Sequence, residues 1–329
     1  MRYTMVVSLI ASLLLSSPAL SHHGVAGVGA AALEGPGAPV ELASSYTLPE
    51  GKALVFLKLD HATFKTFNSD PAQPESDYSQ FWMPGIGYGF TSWFSAYLFP
   101  PYNAKVDEPG GFDTSGWADI SFMGQIGFKY DQGFSLTPAN ESLDDLEDWH
   151  FAILGGATLP SGNPNLRDSS GVIDPGKSTG FGKPAYTLGM TASKIIFPRL
   201  TFNAEASQLV FQEYTYADNS RMKFGSERRL NAGLTYRLWS DAGRGMRVDG
   251  VVEAQYLTLE RDFSNGAYEA ATGGKILYAL PGVRFYWDTA SLVLGVKKPV
   301  STWLNEADQQ QGGEGTEKYR FIMSFSYLF

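Results

Sequence analysis

From residue 53 onward the chain repeats one hydropathic pattern: about ten residues in which apolar and polar side chains alternate, then a turn or loop. In GWADISFMGQIGFKY, residues 116 to 130, Ala118, Ile120, Phe122, Ile126 and Phe128 share one side, opposite Asp119, Ser121, Gln125 and Lys129. Successive side chains of a strand point to opposite faces, so such a segment has one apolar and one polar face. RRLNAGLTYRL sets Leu230, Ala232, Leu234, Tyr236 and Leu238 against Arg229, Asn231, Thr235 and Arg237. RVDGVVEAQY sets Val248, Val252, Ala254 and Tyr256 against Arg247, Asp249, Glu253 and Gln255. The chain closes on KYRFIMSFSYLF, with Tyr319, Phe321, Met323, Phe325, Tyr327 and Phe329 on one side.

This pattern predicts strands near 53 to 67, 79 to 89, 93 to 104, 116 to 130, 149 to 160, 184 to 196, 200 to 214, 227 to 239, 246 to 260, 274 to 287, 290 to 300 and 318 to 329. The number is even, as a bacterial outer-membrane barrel with both ends in the periplasm requires. The turns at 89 to 92, 197 to 199, 240 to 245 and 287 to 290 are tight. The connections at 68 to 78, 101 to 115, 161 to 183, 215 to 226, 261 to 273 and 301 to 317 are long. Short turns on one side and long loops on the other set the long loops outside. Residues 131 to 149 break the rule, being long and acidic on the short-turn side; they are either a periplasmic excursion or a sign of a miscounted strand.

A soluble β-sandwich also alternates, so strand length and the polar face decide. Hydrocarbon offers a backbone amide no hydrogen-bond partner, and a strand crosses it only within a closed sheet. Trp82 and Trp93 near strand ends, with Tyr319 and Tyr327 on the last strand, fit interfacial girdles. The expected fold is all-β: a transmembrane antiparallel up-and-down barrel of about 12 strands over 53 to 329.

Composition agrees: 14% aromatic residues and 36 glycines suit amphipathic strands joined by turns. Residues 1 to 21 read as a cleavable export signal, with Arg2, an apolar core and small residues before a cut after Ser21. The apolar core is shorter than the ~20 residues of a membrane-spanning helix. There is no cysteine, hence no disulfide framework. Removing the signal leaves 24 basic residues against 34 acidic ones, a balance that disfavours nucleic acid as a partner. Residues 22 to 52 are rich in Gly, Ala and Pro and lack strand periodicity. They form either a periplasmic lead or a partial plug of the lumen, and their composition favours mobility.

GGATLPSGNPNLRDSSGVIDPGKSTGFGKPAYTLG resembles outer-membrane proteins of the MetA-pathway phenol-degradation family of transporters. The carrying residues are Leu159, Pro160, Ser161 and Gly162, where a strand ends, and Gly180, Phe181 and Gly182, where the chain re-enters the barrel. GVKKPVSTWLNE and a final strand ending on Phe329 are similar to that family as well. The resemblance implies passage of small, often aromatic or apolar solutes across the outer membrane, with no cofactor. Phe325, Tyr327 and Phe329 resemble the signal read by the outer-membrane assembly machinery.

Other chemistry has weaker footing. A barrel hydrolase needs a Ser activated by a His, and the barrel offers only His61 and His150. Thr63, not Ser, lies two past His61, and Asp60 and His61 are adjacent and so point to opposite faces. His22 and His23, following the cut, offer nitrogen ligands to a transition metal on a flexible segment. Acids in the long loops, among them Asp70, Asp107, Glu306 and Glu317, suit solvation and cation bridging to lipopolysaccharide beside the membrane lipids.

Function is expected on the inner face. Lys58, Asp60, Asp119, Lys129, Glu205, Arg229, Arg237, Arg247, Asp249, Glu253, Arg284, Lys297 and Arg320 all take the polar register, because an Arg or Lys facing lipid costs ~2 to 4 kcal/mol. Ile276, Tyr278, Leu280 and Tyr286 share that face with Arg284. Such a lining suits either a channel for a small solute or a salt-bridged, non-conducting structural barrel.

Overall fold

The computed structural model describes residues 36–64, 78–106, 113–167, 171–173, 175–176, 178–305 and 317–329. Twelve antiparallel strands close into one barrel. They are β1 (Ala53–Phe64), β2 (Tyr78–Thr91), β3 (Phe94–Phe99, resuming at Tyr102–Val106), β4 (Thr114–Trp117, resuming at Ile120–Tyr130), β5 (Trp149–Leu159) and β6 (Ala185–Phe197), followed by β7 (Leu200–Val210), β8 (Glu227–Asp241), β9 (Met246–Leu259), β10 (Gly274–Trp287), β11 (Ala290–Leu304) and β12 (Glu317–Leu328). Each lies where the alternation predicts it, with shifts of a few residues at the ends. β1 pairs with β2 on one side and β12 on the other, Leu54 lying opposite both Gly87 and Leu328. Closure leaves no edge of unpaired amides to face lipid.

The outward stripe is apolar from strand to strand: Ile86, Leu188, Met190, Leu230 and Val252 are each more than half exposed. In water so wide an apolar belt would drive aggregation; in hydrocarbon it is the solvated face. The chain is an outer-membrane β-barrel. Tyr319, Phe325 and Tyr327 face outward on β12, while Arg320, Ile322 and Ser326 face in. Glu317, placed in a loop by the sequence pattern, instead starts β12 and is buried beside Arg320.

The acidic stretch after β4 is an excursion, and the strand count stands. Residues Phe134–Leu136 pair back onto β4, and α1 (Leu143–Glu147) follows. A helix of one turn is not stable alone. Ser142 caps it, its hydroxyl taking the Asp145 N–H at 3.1 Å while Asp145 accepts the Ser142 N–H at 2.8 Å. Lys129 at the end of β4 binds Asp145 and reaches Asp148 at 2.9 Å.

The Lys129 ammonium, with the Ser142 donors, holds the Asp145 carboxyl well below the usual carboxylate range. A depressed folded-state value stabilises at every pH above the unfolded carboxylate value of about 3.9 and is lost only as pH falls through the lower folded value. Residues 141 to 148 are therefore expected to keep their hydrogen-exchange protection at pH 4. In Lys129→Met they should lose it at pH 7; unchanged exchange would break the link between this lysine and the excursion.

Candidate functional site: the lumen and its inner segment

The described part of the N-terminal segment is not a free lead. Residues 36 to 48 run inside the barrel, with Val40, Leu42 and Leu48 almost fully buried. The wall grips the backbone of this segment through side chains. Thr201 accepts the Gly37 N–H at 2.8 Å, Glu205 that of Ala43 at 2.9 Å, and Ser95 that of Leu48 at 2.8 Å. Glu253 accepts the N–H groups of Val40 and of Glu41, the latter at 3.1 Å. Gln125 donates to the Ser44 carbonyl at 2.8 Å, and Arg284 to that of Pro39. Gly89 of β2 leaves room for the chain's exit, since a Cβ there would stand 2.2 Å from the Pro49 carbonyl oxygen.

The inward charges meet in pairs around this segment. Lys58 and Lys297 bind the two oxygens of Glu41 at 3.1 and 2.9 Å. Arg247 forks onto both oxygens of Asp249 at 2.7 and 2.6 Å. Arg320 reaches Asp60 at 3.4 Å and Glu317 at 2.9 Å, and Arg229 binds Glu227. The Tyr278 hydroxyl donates to Glu317 at 3.4 Å, and its ring lies 4.4 Å from the Lys297 ammonium. Arg237 takes the inner register of β8 just before a bulge. Burying an ion costs several kcal/mol, offset here by fork geometry and by the polar atoms of the inner segment. Glu41 is the residue the sequence pattern passes over. Its signal is an acid set among Val40, Leu42 and Leu48 in a stretch otherwise of small residues.

Towards the long-loop end lies a cavity of about 50 Å³. Its lining mixes apolar side chains, Phe81, Met83, Phe99, Met123, Leu154 and Leu209, with the polar Glu205, Ser207, Gln208, Glu227 and Arg229. That volume holds a few waters at most, at ~10 to 15 Å³ each.

Two of the inward charges bind chain that returns from outside the strands. Lys129 ties down the acidic excursion. Asp119 lies in the break within β4, and its two oxygens accept the N–H groups of Gly162 at 2.7 Å and Phe181 at 2.8 Å. The Leu-Pro-Ser-Gly turn and the glycine-rich return thus fold around one buried carboxylate. A Cβ on Gly162 would stand 2.5 Å from the Thr179 carbonyl oxygen, and one on Gly180 2.6 Å from Asp119. Gly182 has a φ of +71°. Leu159 ends β5, Pro160 follows it, and the Ser161 hydroxyl accepts the Ile120 N–H at 2.9 Å. Asp119→Ala strands two donors at roughly 1 to 3 kcal/mol each. It should lower the urea midpoint in micelles and leave the strands intact by circular dichroism; an unchanged midpoint would show that the carboxylate does not hold the loop.

Neither described histidine is hydrogen-bonded to a serine. His150 is fully buried, with Nε2 2.7 Å from Glu141 and Nδ1 3.2 Å from the Asp148 carbonyl oxygen. That leaves neither nitrogen for a serine. Asp60 faces inward while His61 faces out beside Tyr78. Among the described residues no group of three His, Asp or Glu side chains is arranged to hold a metal. His22, His23 and residues 1 to 21 lie outside the described residues, as do Asp70, Asp107 and Glu306.

No protein-family model matches the chain, and no curated protein does. The resemblance to the phenol-degradation transporters therefore rests on the turn motif and on the closing segment from Gly295 to Phe329. Among solved structures, an outer membrane channel from Pseudomonas putida F1 aligns with a TM-score of 0.68 at 11% identity, over 88% of this chain and 100% of that one. The beta domain of a Bordetella autotransporter gives 0.47 at 10% identity, over 85% and 100%. The NanC porin gives 0.46 at 8%, over 83% and 98%. At such identities the likeness to the channel is one of fold.

Proposed function

We propose that this barrel is an outer-membrane channel through which small apolar or aromatic compounds diffuse passively. The observation that carries the reading is the mixed lining of the lumen. Phe56, Met83, Tyr97 and Phe99 form an apolar cluster on the inner face, and Met83 and Phe99 line the cavity together with Glu205 and the Glu227–Arg229 pair. An apolar solute slides along the apolar side chains while a hydroxyl finds hydrogen bonds on the charged ones. The fold, shared with an outer membrane channel, supports the reading. Movement of residues 36 to 48 gates the passage, and diffusion down a gradient uses no cofactor or energy source. The outward aromatics Phe325, Tyr327 and Phe329 serve the assembly machinery as its recognition end.

Single-channel recording of the refolded mature chain tests this. Brief, small openings that added phenol interrupts are expected; a barrel that never conducts would sink the channel reading. The filled lumen favours one alternative, a structural barrel that stays closed. That alternative predicts no current even when the inner segment is loosened.

A further inference from the structure

Val40 and Glu41 together fill a composite site on the inner wall. Val40 is buried among Val251, Leu280, Val293 and Ile322. A Cβ on Gly282 would come within 2.7 Å of its side chain, and one on Gly295 within 3.1 Å. Both glycines thus shape a socket for a compact branched or flat group. Lys297 lies two residues beyond Gly295 on the same face of β11 and takes one Glu41 oxygen, while Lys58 of β1 takes the other. The Tyr278 ring flanks Lys297 and gives the site an aromatic side. What the wall receives here is a compact apolar body joined to a carboxylate, each oxygen on its own ammonium.

We infer that this is a binding site for small apolar monocarboxylates of benzoate size, with Val40 and Glu41 as the internal ligand that occupies it. The inference rests on the channel reading and adds a solute class to it. An arriving carboxylate displaces the Glu41 side chain from Lys58 and Lys297, and its apolar body replaces Val40 in the socket. Displacement loosens the inner segment at its midpoint, so the solute that fits also favours opening. An internal ligand lowers the apparent affinity of an external one by the fraction of time it holds the site. Weakening the internal ligand therefore raises that affinity.

The test is calorimetric titration of the full mature chain, refolded in micelles, with benzoate and with its neutral isostere benzamide. Glu41→Gln keeps the shape of the internal ligand and removes its charge. It is expected to bind benzoate at least about fivefold more tightly than the parent, the lower end of ordinary coupling between sites. Benzamide should show no gain, and Lys297→Met in the same background should cancel the benzoate gain. Glu41→Asp, too short to reach both ammonium groups, should shift benzoate in the same direction and serves if Glu41→Gln fails to fold. Affinities equal to the parent in the folded variants, or a benzamide gain matching that of benzoate, would overturn the site. Binding is read here without ion flow. A barrel that shows the benzoate gain yet conducts nothing refutes only the channel reading, and a conducting barrel indifferent to Glu41 refutes only the carboxylate site.

Discussion

Deleting residues 36 to 47 is expected to turn a barrel that passes little current into one that opens in large, steady steps in a planar bilayer. Burying Val40 and Leu42 is worth ~1.5 to 3 kcal/mol each, and each hydrogen bond to a charged wall group about as much again. Those terms together far exceed thermal energy, so the segment leaves the lumen rarely. The barrel itself does not need it. β1 pairs with β12 from Leu54 to Phe64 and with β2 from Ala53 to Thr63, and both registers lie outside the deleted stretch. The charges that the deletion uncovers, Lys58, Lys297, Glu205, Glu253 and Arg284, pass into water rather than into an apolar void, which removes the penalty of leaving them unpaired. The measurement is unitary conductance of parent and deletion variant side by side. Equal conductance would show that the inner segment does not limit the passage, and the proposed gate would fall with it.

How much of this barrel is legible in its sequence follows from where each constraint originates. Lipid imposes a period of two on every strand regardless of its neighbours, so Leu230 against Asn231 and Val252 against Glu253 read correctly one segment at a time. The inner segment carries no such imprint. It is held by its backbone N–H and C=O groups, which every residue except proline supplies alike, and the socket for Val40 exists only after β9 to β12 have closed around it. Composition alone therefore suggests mobility where the fold supplies partners. Asp119 and Lys129 show the same limit from the other side. Alternation assigns each its inward face, yet their roles depend on chain that returns from a distance: Gly162 and Phe181 for the first, Asp145 and Asp148 for the second. The apolar stripe begins after Glu317 and so leaves that residue in a loop; its pairing with Arg320 extends the strand by one residue.

Asp249→Ala should destabilise the barrel by about 3 to 5 kcal/mol, the usual loss when one partner of a buried ion pair is removed. Asp249 is fully buried, and both of its oxygens bind Arg247, itself 2% exposed. Arg284 lies directly across on β10, also 2% exposed, and the two guanidinium groups sit 5.1 and 5.8 Å from the Tyr286 ring. Without the carboxylate, two cations share a dry corner of the lumen. Urea unfolding in micelles, followed by tryptophan fluorescence, reads the loss. Replacing both partners, Arg247→Leu with Asp249→Leu, should recover most of it, since an apolar pair leaves no uncompensated charge. A loss below ~1 kcal/mol, the range of a solvated surface pair, would show that water already reaches this level of the barrel. The deletion of residues 36 to 47 supplies the internal control. With the inner segment gone and water admitted to Arg284 and Arg247, the cost of Asp249→Ala should shrink, and a cost that stayed the same would mean the segment does not keep this part of the lumen dry.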